Sequence, residues 1–243
     1  MKNRIKMFAL AAALVFSFGI KNSSATNYIG AYCGPDAPWS EDQTRNFISA
    51  WDSKGGVDQW LWSQDRFFAA DNNSFVDWED FSYYVGHGNR FLVSHTNNPT
   101  LTDLTQAGNN SNGGWGGNGG GGYAKYVVFD SCMVVPGAPD GDWWTGWGNE
   151  PGGVWDGVLQ LIGYRTSRYI ATIASTPFGK KVSKGEKILQ SWFAAVDSVA
   201  NHSAGLDFPS VTFCAGSDND TYPNAMDAPC AGDYSYMYNT WEQ

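Results

Sequence analysis

Hydrophobic positions along the chain fall into short β-like runs separated by stretches of helical period. Asn27–Cys33 (NYIGAYC) reads as a first strand, closed by Gly34-Pro35. Behind it, Ser40-x-x-Gln43 has the form of a capping box. Phe47, Ile48 and Trp51 share one face of the helix it would open, and Lys54-Gly55-Gly56 supplies a stop. Residues 57–78 alternate aromatic and polar groups and fit no single element. Phe81–Val85 (FSYYV) and Tyr126–Phe129 (YVVF) are aromatic or β-branched at nearly every position, and they end in Gly86-His87-Gly88 and Asp130-Ser131-Cys132. Runs of that kind are strands buried on both faces of a parallel sheet. Further along, the pattern predicts a helix over Val154–Ile162 and a strand over Arg168–Ser175. A second capping box, Ser183-x-x-Glu186, precedes a helix carrying Ile188, Trp192, Ala195, Val196 and Val199, and a late strand follows at Val211–Cys214.

Strands alternating with helices predict an α/β fold with a mainly parallel sheet. The segment Asn109–Gly122 interrupts this order, with eight glycines between Gly113 and Gly122, and is expected to be a mobile surface loop. No repeat is visible, and one domain accounts for the length.

The front of the chain is different. Lys2, Arg4 and Lys6 precede the apolar segment Met7–Ile20, and Ser23-Ser24-Ala25 supplies small residues suited to cleavage. Residues 1–25 therefore read as a secretory signal, leaving 26–243 as the domain, secreted or periplasmic, with no membrane insertion once the signal is removed. Removing Lys2, Arg4, Lys6 and Lys21, with no acidic residue, takes the net charge from −9 to −13. So acidic a chain is a poor match for nucleic acid, which needs lysine and arginine to displace counterions. It suits a cationic partner.

Ligands of an open parallel sheet gather beyond the carboxyl ends of its strands. His87 and Cys132 each stand just past such an end. A free thiol is only slightly ionised at neutral pH, and an imidazole on a neighbouring strand end can take its proton and return it to a leaving amine. Gly88 permits close backbone approach. Its N–H and that of Cys132 are candidate donors to an oxyanion. His95, eight residues beyond His87, is a backup base, and His202 reads as a surface residue.

Tyr84-Val85-Gly86-His87-Gly88 and Phe129-Asp130-Ser131-Cys132 resemble the two signatures of the caspase-like cysteine peptidases, the group of caspases, metacaspases, gingipains and legumains. The order of His and Cys and their 45-residue separation agree with that group. The Asp-Ser-Cys triplet looks most like metacaspases. The caspase Q-A-C-x-G string is absent, and Met133-Val134-Val135 stands where metacaspases commonly have His-Ser-Gly. Trp155–Ser167 (WDGVLQLIGYRTS) is similar to segments of uncharacterised bacterial secreted domains with the same motif pair. The resemblance implies a three-layer, flavodoxin-like sheet with helices on both faces and an endopeptidase in which Cys132 is nucleophile and His87 base. It also implies that Asp130 lines the pocket for a Lys or Arg preceding the cut in a peptide or protein substrate. Asp36 would be a second wall of that pocket. No cofactor is implied; some metacaspases use calcium, but Asp218-Asn219-Asp220 lacks the glycine and glutamate of a calcium loop.

Two alternatives compete with this reading. A free Cys132 leaves Cys33, Cys214 and Cys230, of which Cys214–Cys230 is the simplest pair and Cys33–Cys214 and Cys33–Cys230 are rivals; two disulfides consuming all four cysteines would remove the nucleophile. The 12 tryptophans, Trp143, Trp144 and Trp147 above all, either form an exposed platform of a non-catalytic peptide- or glycan-binding domain or pack the core.

Overall fold

The computed structural model describes residues 27–34, 37–52, 57–63, 75–95, 98–104, 114–116, 123–147, 154–222, 230 and 237–242; for 57–63, 95 and 98–103 the backbone alone is described. The predicted signal, Asp36 and most of the glycine-rich segment lie outside these residues. None of the described helices is long and apolar enough to cross a membrane.

Among the described residues, ten strands and three α-helices alternate in an α/β fold. The strands are β1 (Asn27–Cys33), β2 (Val57–Ser63), β3 (Phe81–Val85), β4 (Gly88–Asn89), β5 (Leu92–His95), β6 (Asn98–Asp103), β7 (Tyr126–Asp130), β8 (Gln160–Tyr164), β9 (Pro209–Cys214) and β10 (Met237–Trp241). The helices are α1 (Ser40–Ile48), α2 (Ser175–Val182) and α3 (Ile188–Asp197). A seven-stranded sheet has the order β10-β9-β8-β7-β3-β1-β2, and β4-β5-β6 form a small antiparallel sheet beside it. From β2 to β8 all pairings are parallel; β9 alone runs against its neighbours β8 and β10.

Every residue of β3, β7 and β8 is buried, which is why these runs are apolar at successive positions instead of alternating. Registry sorts them into two faces. Phe81 and Tyr83 pair with Tyr126 and Val128 on one face, and Val127 and Phe129 belong to the other. The first face is covered by all three helices. Phe47 of α1 stacks on Tyr83 at 4.1 Å, Phe178 of α2 lies 5.9 Å from Phe47, and Trp192 of α3 meets Phe178 and Tyr164 at 5.2 Å each. On α3 the buried Ile188, Leu189, Trp192, Ala195 and Val196 form the stripe that helical spacing requires.

Helices on both faces are not what the described residues show. The second face is covered by irregular segments carrying Trp115, Trp147, Phe91 and Val154, with the Trp115 and Trp147 rings stacked 6.2 and 6.0 Å from Phe129. Trp115 sits in the middle of the glycine-rich segment, fully buried. Its N–H donates to the Val154 carbonyl at 2.8 Å, and its own carbonyl accepts from Val158 at 3.0 Å. At least this part of the predicted mobile loop is therefore anchored, because one indole in the core outweighs the entropy that its glycine neighbours lose.

Other predicted elements change as well. The run expected as a helix over Val154–Ile162 contains the first part of β8, since a short apolar run buried on all sides satisfies either period. Arg168–Ser175 is not a strand; it is a turn leading into α2. Ser183 and Glu186 do not open α3, whose N-cap Lys187 has no side-chain cap: Ser183 is the C-cap of α2, its N–H donating to the Gly179 carbonyl at 3.0 Å, and Glu186 lies in the turn that follows. Ser40 is inside α1, where its hydroxyl donates to the Gly34 carbonyl at 2.8 Å and ties the helix to the end of β1.

Trp115→Ala is expected to cost about 3–5 kcal/mol in urea unfolding, as for a large core side chain; a change below about 0.5 kcal/mol would mark a truly loose segment. A second expectation concerns Asp77, whose carboxylate accepts the Gly116 N–H at 2.7 Å while burial pushes its pKa up to about 7. The unfolded chain ionises this group near pH 4, so its contribution is full below that pH and is lost as pH rises through 7. Stability should fall by on the order of 3 kcal/mol between pH 4 and 8 from this group, and Asp77→Asn should flatten the slope, as read by urea midpoints across that range.

Candidate functional site

From β1 the chain goes outward to β2 and then returns to the other side of β1 at β3, so the crevice at the carboxyl ends of β1 and β3 is the topological switch point. Gly34 and Gly86 close it from below. A Cβ added to Gly34 would lie 2.9 Å from the Gly86 Cα, a separation that only two glycines tolerate. Beyond Gly86, the His87 carbonyl accepts from the Ser94 N–H at 2.9 Å and from the Tyr84 hydroxyl at 3.4 Å, which pins the backbone while the side chain stays exposed. The His87 ring meets Trp39 edge-to-face at 6.0 Å.

The last registered pair of β3 and β7 is Val85 with Asp130. Two residues further along each strand come His87 and Cys132, so the two fall at neighbouring strand ends on one rim of the sheet. The turns after these strands are in contact: a Cβ on Gly88 would sit 2.8 Å from Ser131 Cβ and 3.2 Å from the Cys132 carbonyl oxygen. Met133, next in the chain, has φ of 56° and swings the backbone away from the strand direction. Among the described residues the Cys132 N–H has no backbone acceptor.

Cys132 is a half-buried free thiol. The Arg168 N–H donates to its sulfur at 3.3 Å, and the thiol faces the Arg168 carbonyl at 3.7 Å. Cys33, also free, stands on the same rim at the end of β1, and burial together with nearby Glu41 pushes its pKa up. Cys33 ends β1 in register with Val85 and Asp130, two strand spacings from β7, and Cys132 lies two residues beyond Asp130; the two thiols are not joined. The disulfide joins Cys214 to Cys230. Because β9 is antiparallel, Cys214 at its end lies on the opposite rim. The pairing that would have consumed all four cysteines is excluded.

The chain belongs to the family described as Domain of unknown function (DUF6345). The family model matches residues 26–229. No curated protein matches the chain.

In this DUF6345 domain Asp130 does not offer a free carboxylate to a substrate. It is fully buried on the helix-covered face, ion-paired to Arg168 through one oxygen and accepting the Tyr83 hydroxyl at 2.7 Å through the other. Burial pushes the carboxyl up, and the guanidinium beside it opposes that push. The expected role of Asp130 as a pocket for Lys or Arg is thereby revised, since a substrate cation would have to displace a side chain that is itself buried. Arg168 is held further by the Gln43 side-chain oxygen and by the Thr172 carbonyl at 2.6 Å, and its guanidinium lies 5.0 Å from the Trp39 ring centroid. Trp39 thus touches both His87 and the arginine whose backbone contacts the Cys132 sulfur.

Asp36 lies outside the described residues, as does the side chain of His95. His202 is far along the chain in a helical turn, where Asp197, His202 and Glu242 bring ligand-type atoms within 4.8 Å of one another. Burial, with Asp197 adding repulsion, pushes Glu242 up to about 7. Of the three tryptophans of the expected platform, Trp144 and Trp147 are 3% and 0% accessible and pack the core, and Trp143 is half-buried against it. Asp220 of the calcium-like triplet accepts the Tyr126 hydroxyl at 2.8 Å.

Arg168 and Trp39 were not legible as site residues. The available signal was the lone basic residue in Arg168–Ser175, because a cation within an apolar stretch demands a buried acid. Arg168→Met should destabilise the domain by about 3–5 kcal/mol by leaving Asp130 uncompensated, and adding Asp130→Asn should restore most of that loss in a urea double-mutant cycle.

Proposed function

We propose that the chain is an exported cysteine endopeptidase of the caspase-like kind. The observation that carries this reading is a free Cys132 thiol, contacted by a backbone N–H, at a strand end adjoining the one that bears His87. The mostly parallel sheet, with its switch point at β1 and β3, supports an α/β sheet of the caspase-like kind, although helices are described on one of its faces only. The disulfide and the absence of a membrane-crossing helix among the described residues are compatible with export.

In this mechanism His87 takes the Cys132 proton and the thiolate attacks the scissile carbonyl. The N–H groups of Cys132 and Gly88 receive the negative charge that develops on the carbonyl oxygen. His87 then protonates the departing amine, leaving an acyl group on sulfur. Water, with His87 as base, releases the acid and restores the thiol. Selectivity for Lys or Arg through Asp130 is not part of this reading, because Asp130 already holds Arg168.

Two thiols are free, and only one should react quickly. Limiting iodoacetamide at pH 7 is expected to alkylate Cys132 and spare Cys33, whose pKa is raised, with peptide mapping to assign the site. His87→Ala should slow that labelling at least tenfold and abolish cleavage of a mixed fluorogenic peptide pool, as should Cys132→Ala. Equal, slow labelling of both thiols, unaffected by His87→Ala, would leave a fold without this chemistry.

A further inference from the structure

The turn that follows β8 inverts the usual partition of side chains. Arg168 and Thr172 point inward, 6% and 1% accessible, whereas Tyr169, Ile170 and Ile173 are 50%, 53% and 41% accessible. Three of the six large exposed hydrophobics among the described residues fall within the five consecutive positions Tyr169–Ile173. Clustered exposure of that kind marks an interaction site, unlike isolated surface hydrophobics.

The turn is also firmly held from beneath. Asp207 accepts the Tyr169 N–H at 2.7 Å and the Thr172 hydroxyl at 2.9 Å, and is itself fully buried with φ of 62°. The Thr172 N–H donates to the Tyr169 carbonyl at 2.9 Å, the Arg168 guanidinium binds the Thr172 carbonyl, and Gln43 of α1 donates to the Ile170 carbonyl at 3.4 Å. Apolar side chains presented on so fixed a backbone lose little entropy when something packs on them. Their position is equally specific, because the turn starts at Arg168, the residue whose N–H and carbonyl both face the Cys132 sulfur.

We infer that Tyr169, Ile170 and Ile173 form the substrate-binding rim of the Cys132 site and take the apolar side chains of a peptide next to the bond cleaved. This rests on the peptidase reading and names its substrate class. Charge supports apolar over basic occupants. The two acids beneath the rim are already engaged, Asp130 by Arg168 and Tyr83, and Asp207 by Tyr169, Thr172 and the Asn201 N–H at 2.9 Å. Neither is left to receive a lysine or arginine.

The test uses the mature protein and two sets of fluorogenic peptides, alike except for Leu or Phe against Lys or Arg before the cleaved bond. The apolar set is expected to have the higher kcat/KM by about tenfold or more, the discrimination that one well-packed apolar side chain supplies. Ile170→Asp and Tyr169→Ser, both at exposed positions, should raise KM for the apolar set severalfold and leave KM for the basic set unraised. Preference for the basic set, or an unchanged KM in both variants, overturns the inference. Where no peptide is cleaved and the thiol is inert, the peptidase reading itself has failed. The rim is then read separately by fluorescence polarisation of the same peptides on Cys132→Ala: apolar-selective binding lost with Ile170→Asp upholds it, and equal binding of both sets overturns it.

Discussion

The buried ion pair between Asp130 and Arg168 is the constraint on which the rim of this domain depends. Placing two charges under the helix-covered face costs several kcal/mol of solvation, which their attraction offsets only when the remaining polar atoms are also met. Tyr83 meets the second Asp130 oxygen, and Gln43 and Thr172 both meet one terminal nitrogen of Arg168, from a strand, a helix and a turn that are distant in sequence. Each is fixed in return. Because Asp130 ends β7 and Arg168 opens the turn after β8, the pair locks together the backbone on both sides of Cys132. The sulfur then sits against the Arg168 amide as a geometric consequence of the pair beneath it.

The same pair joins the helical layer to the reactive rim. Trp39, just before α1, lies against the Arg168 guanidinium on one side and the His87 ring on the other. Ser40 binds the end of β1, and Gln43 reaches both Arg168 and Ile170. The first turn of α1 is thus a bracket for the rim, and its Ser40 and Gln43 are buried for that reason while Glu41 and Asp42 stay exposed. Away from this bracket the sheet is held by rings: Phe47, Tyr83, Phe178 and Trp192 on the helical face, Trp115, Phe129 and Trp147 on the other. An aromatic-rich composition is spent on two packed layers, which leaves Tyr169, Ile170 and Ile173 as the apolar groups turned outward beside the thiol.

Sulfur chemistry is divided between the two ends of the sheet. The Cys214–Cys230 disulfide secures β9 to the segment before β10, on the rim where the parallel strands begin. The free thiols lie where β1 and β7 end. Antiparallel β9 produces the separation, since its carboxyl end faces the opposite way from theirs. An oxidising compartment can therefore stabilise one rim while geometry keeps the other reduced.

Sequence alone determined the strands β1, β3 and β7, the face of α3, and the placing of His87 and Cys132 two residues past the ends of adjoining strands, because continuous apolar runs and their polar stops are local signals that burial merely confirms. It did not separate β8 from a helix, since a run buried on all sides carries no period, and it misread Ser183 and Glu186, whose spacing fits a cap but whose backbone is a turn. The partner of Asp130, the anchoring of Trp115 and the outward set of Tyr169, Ile170 and Ile173 were decided only by the tertiary structure. Each depends on a contact between segments far apart in the chain, and neither propensity nor spacing records which buried acid a lone arginine will find or which of two faces an aromatic ring will fill.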